Sequence, residues 1–365
     1  MSSVEATASA ARPSQKTVLV TGATGYLGSA VCRAFARAGW SVHGLVRRAE
    51  AADALLAEEV TPVIGAIAAD LGFLDALLAA PSTQPFDVVV SCTEQFPFDE
   101  HWAHVTALLV RVAHHARRVG APRPLVLVSS GCKDYGQTAR RGAPGLAPHA
   151  ETSPLSPPDI VRGRALGALG ALEHPDLFDA AVLRPTPLFG YGGSYYGVLF
   201  EALGRLRGGG GGGGGGPGAL PGHPDNICHG CHVDDCAEAY LALAAHPSRA
   251  DVAGRCFNVS GRRYETVAEI LAALGAEYGF EGCLSAAEGA EAGGLRGLEA
   301  VLGYSQWVDS TKIRRLTGWT DKRRLFSEDV RVYRLAYEAA ARAGDTGVAR
   351  IRDRVAGWVA SGLSS

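Results

Sequence analysis

A glycine-spaced turn near the N-terminus limits what this chain can fold into. A short apolar strand starts at Thr17 and enters TGATGYLG (21–28), in which every third residue from position 22 is glycine. The amphipathic stretch SAVCRAFARAG follows at once, and SVHGLV (41–46) is typical of the next strand. Glycines let a backbone approach a pyrophosphate, and a new helix points its free N–H groups and positive dipole end at that anion. The segment predicts the first βαβ unit of a dinucleotide-binding sheet.

The second strand indicates which dinucleotide would bind. Sites that select NAD place an acidic residue at the end of this strand, whereas NADP sites place an arginine there for the 2′-phosphate. Here the strand ends in Arg47 and Arg48, with no acid before Glu50. Arg47 suits a bidentate phosphate contact. The alternative is that both arginines are solvated residues of a surface turn. We therefore expect NADP(H), with NAD as the alternative cofactor.

Size, charge and hydropathy argue against nucleic-acid-binding, membrane and secreted classes of protein. The 365 residues carry a net charge of −2, which gives no reason to expect nucleic acid or an anionic membrane as partner. No apolar run reaches the roughly 18 residues that span a bilayer. Residues 1–16 are expected to be a disordered tail that lacks the apolar core of a secretory signal, a weak organelle leader being the alternative. Eight scattered cysteines fit reduced thiols in a cytoplasmic protein.

Strand and helix patterns alternate through the first half of the chain. This order predicts a doubly wound parallel sheet covered by helices, with a smaller, mostly helical lobe from the C-terminal residues 265–365. An amphipathic helix is predicted over 100–119, and nine glycines at 208–216 predict a flexible surface loop. The remaining strands are predicted at 61–66, 86–92, 124–130, 180–185 and 255–260.

Six motifs occur in an order that resembles one family. They are TGATGYLG (21–28), SSGCKDYG (129–136), LRPTPLFG (183–190), HVDDCAEAY (232–240), FNVSG (257–261) and STKIRRLTGW (310–319). The chain resembles an atypical extended short-chain dehydrogenase/reductase of the NAD-dependent epimerase/dehydratase type. The resemblance implies a Rossmann domain (17–190 plus 228–261) and an interleaved substrate lobe (191–227 plus 262–365). Such proteins act on small molecules, and many form two-fold dimers, for which helix 100–119 is the expected face.

The resemblance also implies a set of cofactor-binding residues along the strand ends. Arg164 is assigned there to ribose or substrate binding, because arginine stays charged and is a poor proton shuttle. One departure is the pair Gly65-Ala66, where the family has Gly-Asp to contact the adenine. The expected residues are Gly22, Thr24, Gly25, Tyr26, Leu27, Gly28, Arg47, Arg48, Cys92, Arg164, Pro185 and Leu188.

A larger departure concerns catalysis. The family uses a tyrosine four residues before a lysine on one helix, so that the cation lowers the phenol pKa while a hydride moves. None of the four lysines follows a tyrosine at that spacing, and the corresponding positions hold Ile160 and Arg164. The usual serine position holds Gly131. The substitute candidates are Ser130, Lys133 and Tyr135, with Tyr135 as the preferred acid.

Three functions remain open at this point. The first is an NADP(H)-dependent oxidoreductase for a small carbonyl or sugar-type substrate with non-standard catalytic residues. The second is a catalytically weak NADP-binding sensor or scaffold, and the third is a chemistry that needs only bound cofactor and substrate electrostatics.

One further pattern suggests haem or metal. Cys228-His229-Gly230-Cys231-His232 matches a haem-attachment pattern, and Cys236 lies near enough to suggest zinc. We interpret these residues as ordinary thiols and a family histidine, and expect no metal.

Overall fold

Seven parallel strands form one sheet at the centre of the chain. The computed structural model describes residues 15–80, 83–208, 219–280, 282, 284–287 and 298–360. The predicted tail (1–16) lies outside this range except for its last two residues. The glycine run (208–216) lies outside it except for Gly208, which ends a helix.

The strands alternate with helices along the first half of the chain, as the sequence predicts. The strands, in chain order, are β1 (Thr17–Thr21), β2 (Ser41–Val46), β3 (Thr61–Ile64), β4 (Val88–Ser91), β5 (Leu125–Ser129), β6 (Asp179–Pro185), β7 (Leu188–Phe189), β8 (Ala219–Pro221), β9 (Ile227–Cys228), β10 (Cys231–His232), β11 (Arg255–Val259), β12 (Glu265–Thr266) and β13 (Ser285–Ala287). The helices are α1 (Tyr26–Arg37), α2 (Ala52–Leu56), α3 (Gly72–Ala79), α4 (Phe98–Arg118), α5 (Asp159–Gly170), α6 (Gly197–Gly208), α7 (Val233–Ala244), α8 (Val267–Tyr278), α9 (Glu299–Leu302), α10 (Thr311–Thr317), α11 (Val330–Arg342) and α12 (Thr346–Ala360).

The order of strands in the main sheet creates the crevice in which a ligand can bind. The order is β11-β6-β5-β4-β1-β2-β3, and all neighbours are parallel. The chain leaves β1 toward β2 on one side and returns to β4 on the other. This reversal is a topological switch point, where α/β sheets bind ligands beyond the carboxyl ends of their strands. The doubly wound Rossmann fold is confirmed.

Two apolar clusters hold helices on the two faces of the sheet. All five residues of β1 and all four of β4 are buried, as expected for parallel strands that are covered on both sides. One cluster joins the sheet to α1 and α7 around Phe35 and Tyr240, and the other joins it to α3 and α4 around Leu74 and Leu108. Among the described residues, no helix combines the length and apolar character needed to cross a membrane.

A third cluster builds the smaller lobe, which is mostly helical. Side chains of α6, α8 and α11 meet there around Phe326 and Leu271. Helix α10 falls within the range expected for this lobe (262–365) but packs elsewhere. Its Ile313 lies in the sheet cluster with Trp319, whose indole N–H donates to the Asp235 carbonyl at 2.9 Å. The α10 segment therefore supports the Rossmann side, because a long aromatic side chain after its last turn reaches α7.

Candidate functional site

The glycine loop between β1 and α1 is shaped by backbone contacts that exclude side chains. Gly22 has φ +71°, and a Cβ there would lie 2.7 Å from the Cys92 carbonyl oxygen. A Cβ on Gly25 would lie 2.9 Å from the Gly22 oxygen, and one on Gly28 would lie 2.0 Å from the same atom. Real Cβ contacts are never this short, so the turn, the backbone approach and the helix–strand packing each require glycine.

Helix α1 begins at this loop with its N-terminus open. Gly25 is the N-cap, no side chain of the described residues caps the helix, and no acidic residue lies in its first turn. The first N–H groups of a helix have no intrahelical acceptor and carry the positive end of the dipole. The end of α1 therefore offers donors and positive potential to a diphosphate.

The other expected cofactor residues lie around the same strand ends. Cys92 follows β4, its Sγ lies 3.4 Å from the Ser129 hydroxyl, and burial raises its pKa to about 12. Tyr26 donates to the Gly190 carbonyl at 2.6 Å, just past Leu188 of β7. Pro185 ends β6. These contacts tie the loop to the neighbouring strand ends, and Leu27 packs against the sheet cluster.

The end of β2 carries Arg47 and Arg48 in the exposed position that the sequence predicts. Neither arginine forms an ion pair or a side-chain hydrogen bond within the described part of the chain. Both guanidinium groups are therefore available to a ligand. Just after β3, Gly65 packs against the ring of Phe73, and a Cβ there would overlap that ring at 2.3 Å. The next residue, Ala66, stands where the family has its adenine-binding aspartate.

A residue from the end of the chain also reaches the loop. Arg350 of α12 donates from Nη2 to the Thr24 carbonyl at 2.9 Å. Its Nε donates to the carbonyl of Thr346, one turn earlier in the same helix. Asp345 caps α12 by accepting from the Gly347 and Val348 N–H groups. Helix α12 therefore holds a cation beside the glycine loop, a contact that the sequence patterns gave no reason to expect.

The segment after β5 is organised around one buried carboxylate. Asp134 is 0% exposed and accepts three side-chain hydrogen bonds. Ser130 Oγ donates at 2.6 Å, Arg164 Nη2 at 2.9 Å and Arg184 Nε at 3.2 Å. A buried charge is stable only when it is paired in this way. The Ser130 hydroxyl therefore already donates to a protein acceptor. Its partner Asp134 lies between the candidates Lys133 and Tyr135, and sequence reasoning overlooked it.

Tyr135 is equally engaged. Its hydroxyl donates to Asn258 Oδ1 at 2.8 Å and accepts from Arg184 Nη1 at 3.0 Å, while its ring stacks on His149. Burial raises the Tyr135 pKa to about 12, although Arg184 acts in the opposite direction. A phenol whose proton already has an acceptor is poorly placed to give it to a substrate. The geometry favours a structural role for Tyr135.

Lys133 differs from the other two candidates. Its ammonium lies 4.5 Å from the centre of the Tyr304 ring and has no hydrogen-bond acceptor or carboxylate partner within the described residues. Burial lowers the Lys133 pKa, and the nearby Arg164 cation adds to that effect. Tyr304, from the loop after α9, was missed by sequence reasoning because no motif contains it.

The family's standard catalytic positions are still close together. Ile160 and Arg164 both lie in α5, and a Cβ on Gly131 would come within 3.0 Å of the Arg164 guanidinium. The positions of the family serine and lysine are therefore adjacent here, but glycine and arginine occupy them. The arginine at the family's lysine position pairs with Asp134.

The Cys228–His232 segment is used for packing. His229 Nε2 donates to the Gly261 carbonyl at 3.0 Å, and its Nδ1 accepts from the Val308 N–H at 3.4 Å. Both ring nitrogens are occupied, so neither is free for a metal. No group of three metal-binding side chains occurs among the described residues.

The geometry fits a nicotinamide dinucleotide. The carboxyl edge of the sheet carries three features at its switch point. They are the glycine loop without side chains, the uncapped start of α1, and the two unpaired arginines after β2. These features define a Rossmann-type dinucleotide-binding protein. The model of the NAD dependent epimerase/dehydratase family matches residues 18–260, more than half of the chain, and the chain belongs to this family.

Solved structures share the fold at low sequence identity. UDP-glucuronic acid 4-epimerase from Bacillus cereus, in complex with NAD, is 15% identical with a TM-score of 0.64, over 88% of this chain and 99% of that one. dTDP-glucose 4,6-dehydratase from Bacillus anthracis, also with NAD, is 15% identical with a TM-score of 0.63, over 89% and 97%. UDP-glucose 4-epimerase from Thermotoga maritima, with UDP-glucose, is 18% identical with a TM-score of 0.63, over 89% and 99%. No curated protein matches the chain.

Proposed function

We propose that this chain is an NADP(H)-dependent oxidoreductase of the epimerase/dehydratase type that acts on a small carbonyl or sugar-type substrate. The observation that carries the proposal is the glycine cradle at the uncapped start of α1. The family and the UDP-sugar-bound structures of the same fold support a sugar nucleotide as substrate. A homodimer through the outer face of α4 stays a prediction.

The bound nicotinamide would supply hydride transfer, and this chain must manage the accompanying proton. We propose Lys133 for that task, because Ser130 and Tyr135 already donate to protein acceptors. A lysine whose pKa is lowered gives a proton to a carbonyl oxygen more readily than an ordinary lysine, and its ammonium stabilises charge on that oxygen. The Asp134 cluster would hold Arg164 beside Lys133 without taking part in proton transfer.

Cofactor choice is tested by replacing the arginine after β2. Arg47→Met should weaken NADP(H) binding about tenfold or more and leave NAD(H) binding nearly unchanged, because a charge-assisted phosphate contact contributes about 1.5–3 kcal/mol. Calorimetric titration of both cofactors measures this. Arg37→Met, which removes another exposed arginine at the end of α1, is the matched control. Equal affinity of the wild type for NADP and NAD would refute the preference.

The alternative is a sensor or scaffold that binds the cofactor without turnover. The observation that favours it is the engagement of Ser130 and Tyr135 in the fold, together with isoleucine at the standard tyrosine position. NADPH absorbance followed with a panel of carbonyl and sugar-nucleotide substrates separates the two functions. Binding without absorbance change for every substrate would favour the sensor.

A further inference from the structure

The surroundings of Lys133 hold more positive charge than the protein neutralises. Among the described residues, Asp134 is the carboxylate that forms ion pairs with Arg164 and Arg184. Lys133 adds a third cation. The titratable neighbours that act on its pKa are the Cys132 thiol and the Arg164 guanidinium, and no carboxylate is among them. An excess of buried and half-buried cations is unfavourable unless an anion joins them.

Three polar groups in this cluster also lack hydrogen-bond partners among the residues that the structure describes. The Tyr304 hydroxyl and the Arg164 Nε are buried and form no hydrogen bond. The Lys133 ammonium lies over the Tyr304 ring without an acceptor. Buried donors in folded proteins are almost always satisfied by protein, water or ligand. All three are donors, and an anion is the ligand that could accept from all of them.

These donors lie near the family's catalytic serine position, where the reacting carbon of a substrate would bind. The Arg164 guanidinium lies against Gly131, which stands at the family's catalytic serine position, and Lys133 follows Gly131 by two residues. Tyr304 comes from the loop between α9 and α10, and its ring faces the Lys133 ammonium. The site therefore combines residues that follow β5 and lie in α5 with a residue from the C-terminal third of the chain.

We propose that Lys133, Arg164 and the Tyr304 hydroxyl form a binding site for an anionic group, a carboxylate or a phosphate, of the substrate. The three N–H groups of the lysine allow it to hold this anion and contact a neighbouring carbonyl oxygen at once. The assignment of the anion to the substrate rests on the proposed function. The existence of the anion site does not, since it follows from the charges and unpaired donors alone.

The test uses malonate and inorganic phosphate as probes. Each is titrated by calorimetry into the full chain, both free and saturated with NADPH. One probe should saturate a single site on the wild type, and Lys133→Met should weaken it about tenfold or more, the loss expected for one charge-assisted contact. Tyr304→Phe should weaken it less, and Lys133→Arg should retain most of the affinity. Lys322→Met, which removes a surface lysine paired with Glu238, should change nothing.

The outcomes separate the two proposals. Preferential binding of malonate identifies a carboxylate, and preferential binding of phosphate identifies a phosphoryl group. If neither probe saturates a site, or if Lys133→Met and Tyr304→Phe both bind like the wild type, the anion site is wrong. If NADPH does not bind but a probe does so in a Lys133-dependent manner, the proposed function fails and the anion site stands.

Discussion

At Gly28, the fold and the cofactor site require the same residue for different reasons. A Cβ at this position would lie 2.0 Å from the Gly22 oxygen, so alanine must push α1 away from β1. Gly28→Ala should therefore lower the free energy of unfolding by about 2 kcal/mol or more, as overpacking in a core does. Denaturant titration measures the change.

Gly204 provides the control, because it is also a helical glycine but has open space around its Cβ position. Gly204→Ala should be neutral or stabilise the chain by up to about 1 kcal/mol through helix propensity. Equal effects of the two substitutions would show that helix propensity, and not the contact with Gly22, decides the Gly28 result.

Individual residues show where sequence reasoning reaches its limit. The spacing of the three loop glycines predicted the backbone contacts, because those contacts depend only on local geometry. The partners of Tyr135 could not be predicted, since Asn258 and Arg184 lie far away in sequence and meet it only after β6 and β11 pair. Tyr304 was missed for the same reason.

At the scale of elements, helix α12 has an unexpected role at the glycine loop. Arg350 contacts the Thr24 carbonyl and forms no ion pair within the described chain. Its cation should add to the positive potential that α1 offers to a diphosphate. Arg350→Met should weaken NADP(H) binding roughly threefold to tenfold, since exposed charge contacts contribute about 0.2–1 kcal/mol and phosphate contacts more.

Arg342 on α11 is the matched control for Arg350, because it is an exposed arginine near a single carboxylate of its own helix. Arg342→Met should leave the calorimetric affinity for NADP(H) unchanged. If Arg350→Met also leaves it unchanged, α12 is a structural support only.

The elements were predictable to different degrees. Strand positions in the first half were predicted because runs of Val and Leu buried on two faces are distinctive, as in β4 and β5. Their ends were predicted one or two residues too long at 61–66, 86–92 and 124–130, since the chain turns away to build the loops at the strand ends. The packing of α10 on the sheet depends on Trp319 reaching α7, which no local pattern shows.

At the scale of the whole molecule, His229 couples folding to pH. Its ring joins Gly261 to Val308 only in the neutral form, because Nδ1 must accept. Burial lowers the His229 pKa to about 4. The unfolded chain takes up a proton as the pH falls through about 6.5, while the folded chain takes it up only near 4. Stability should therefore fall across this window by up to about 3 kcal/mol.

Denaturant titrations at several pH values between about 7 and 4 test this expectation. His229→Gln should be less stable at neutral pH but show a shallower loss toward acid. His104→Gln, at a half-buried histidine of α4, controls for the loss of an imidazole. A wild-type slope that survives in His229→Gln would assign the pH dependence to other groups.

The central claim is that the glycine loop at the start of α1 binds a nicotinamide dinucleotide. The most direct measurement is calorimetric titration of NADPH into the wild type and into Gly25→Val. Gly25 has an extended backbone (φ −78°, ψ 167°) that valine can adopt, so the contact of its Cβ with the Gly22 oxygen should displace the loop locally while the fold persists, as circular dichroism and the melting temperature would show. We expect one NADPH per chain on the wild type and none on the folded variant. Binding of NADPH to folded Gly25→Val with wild-type affinity, or no binding to the wild type, would contradict the account.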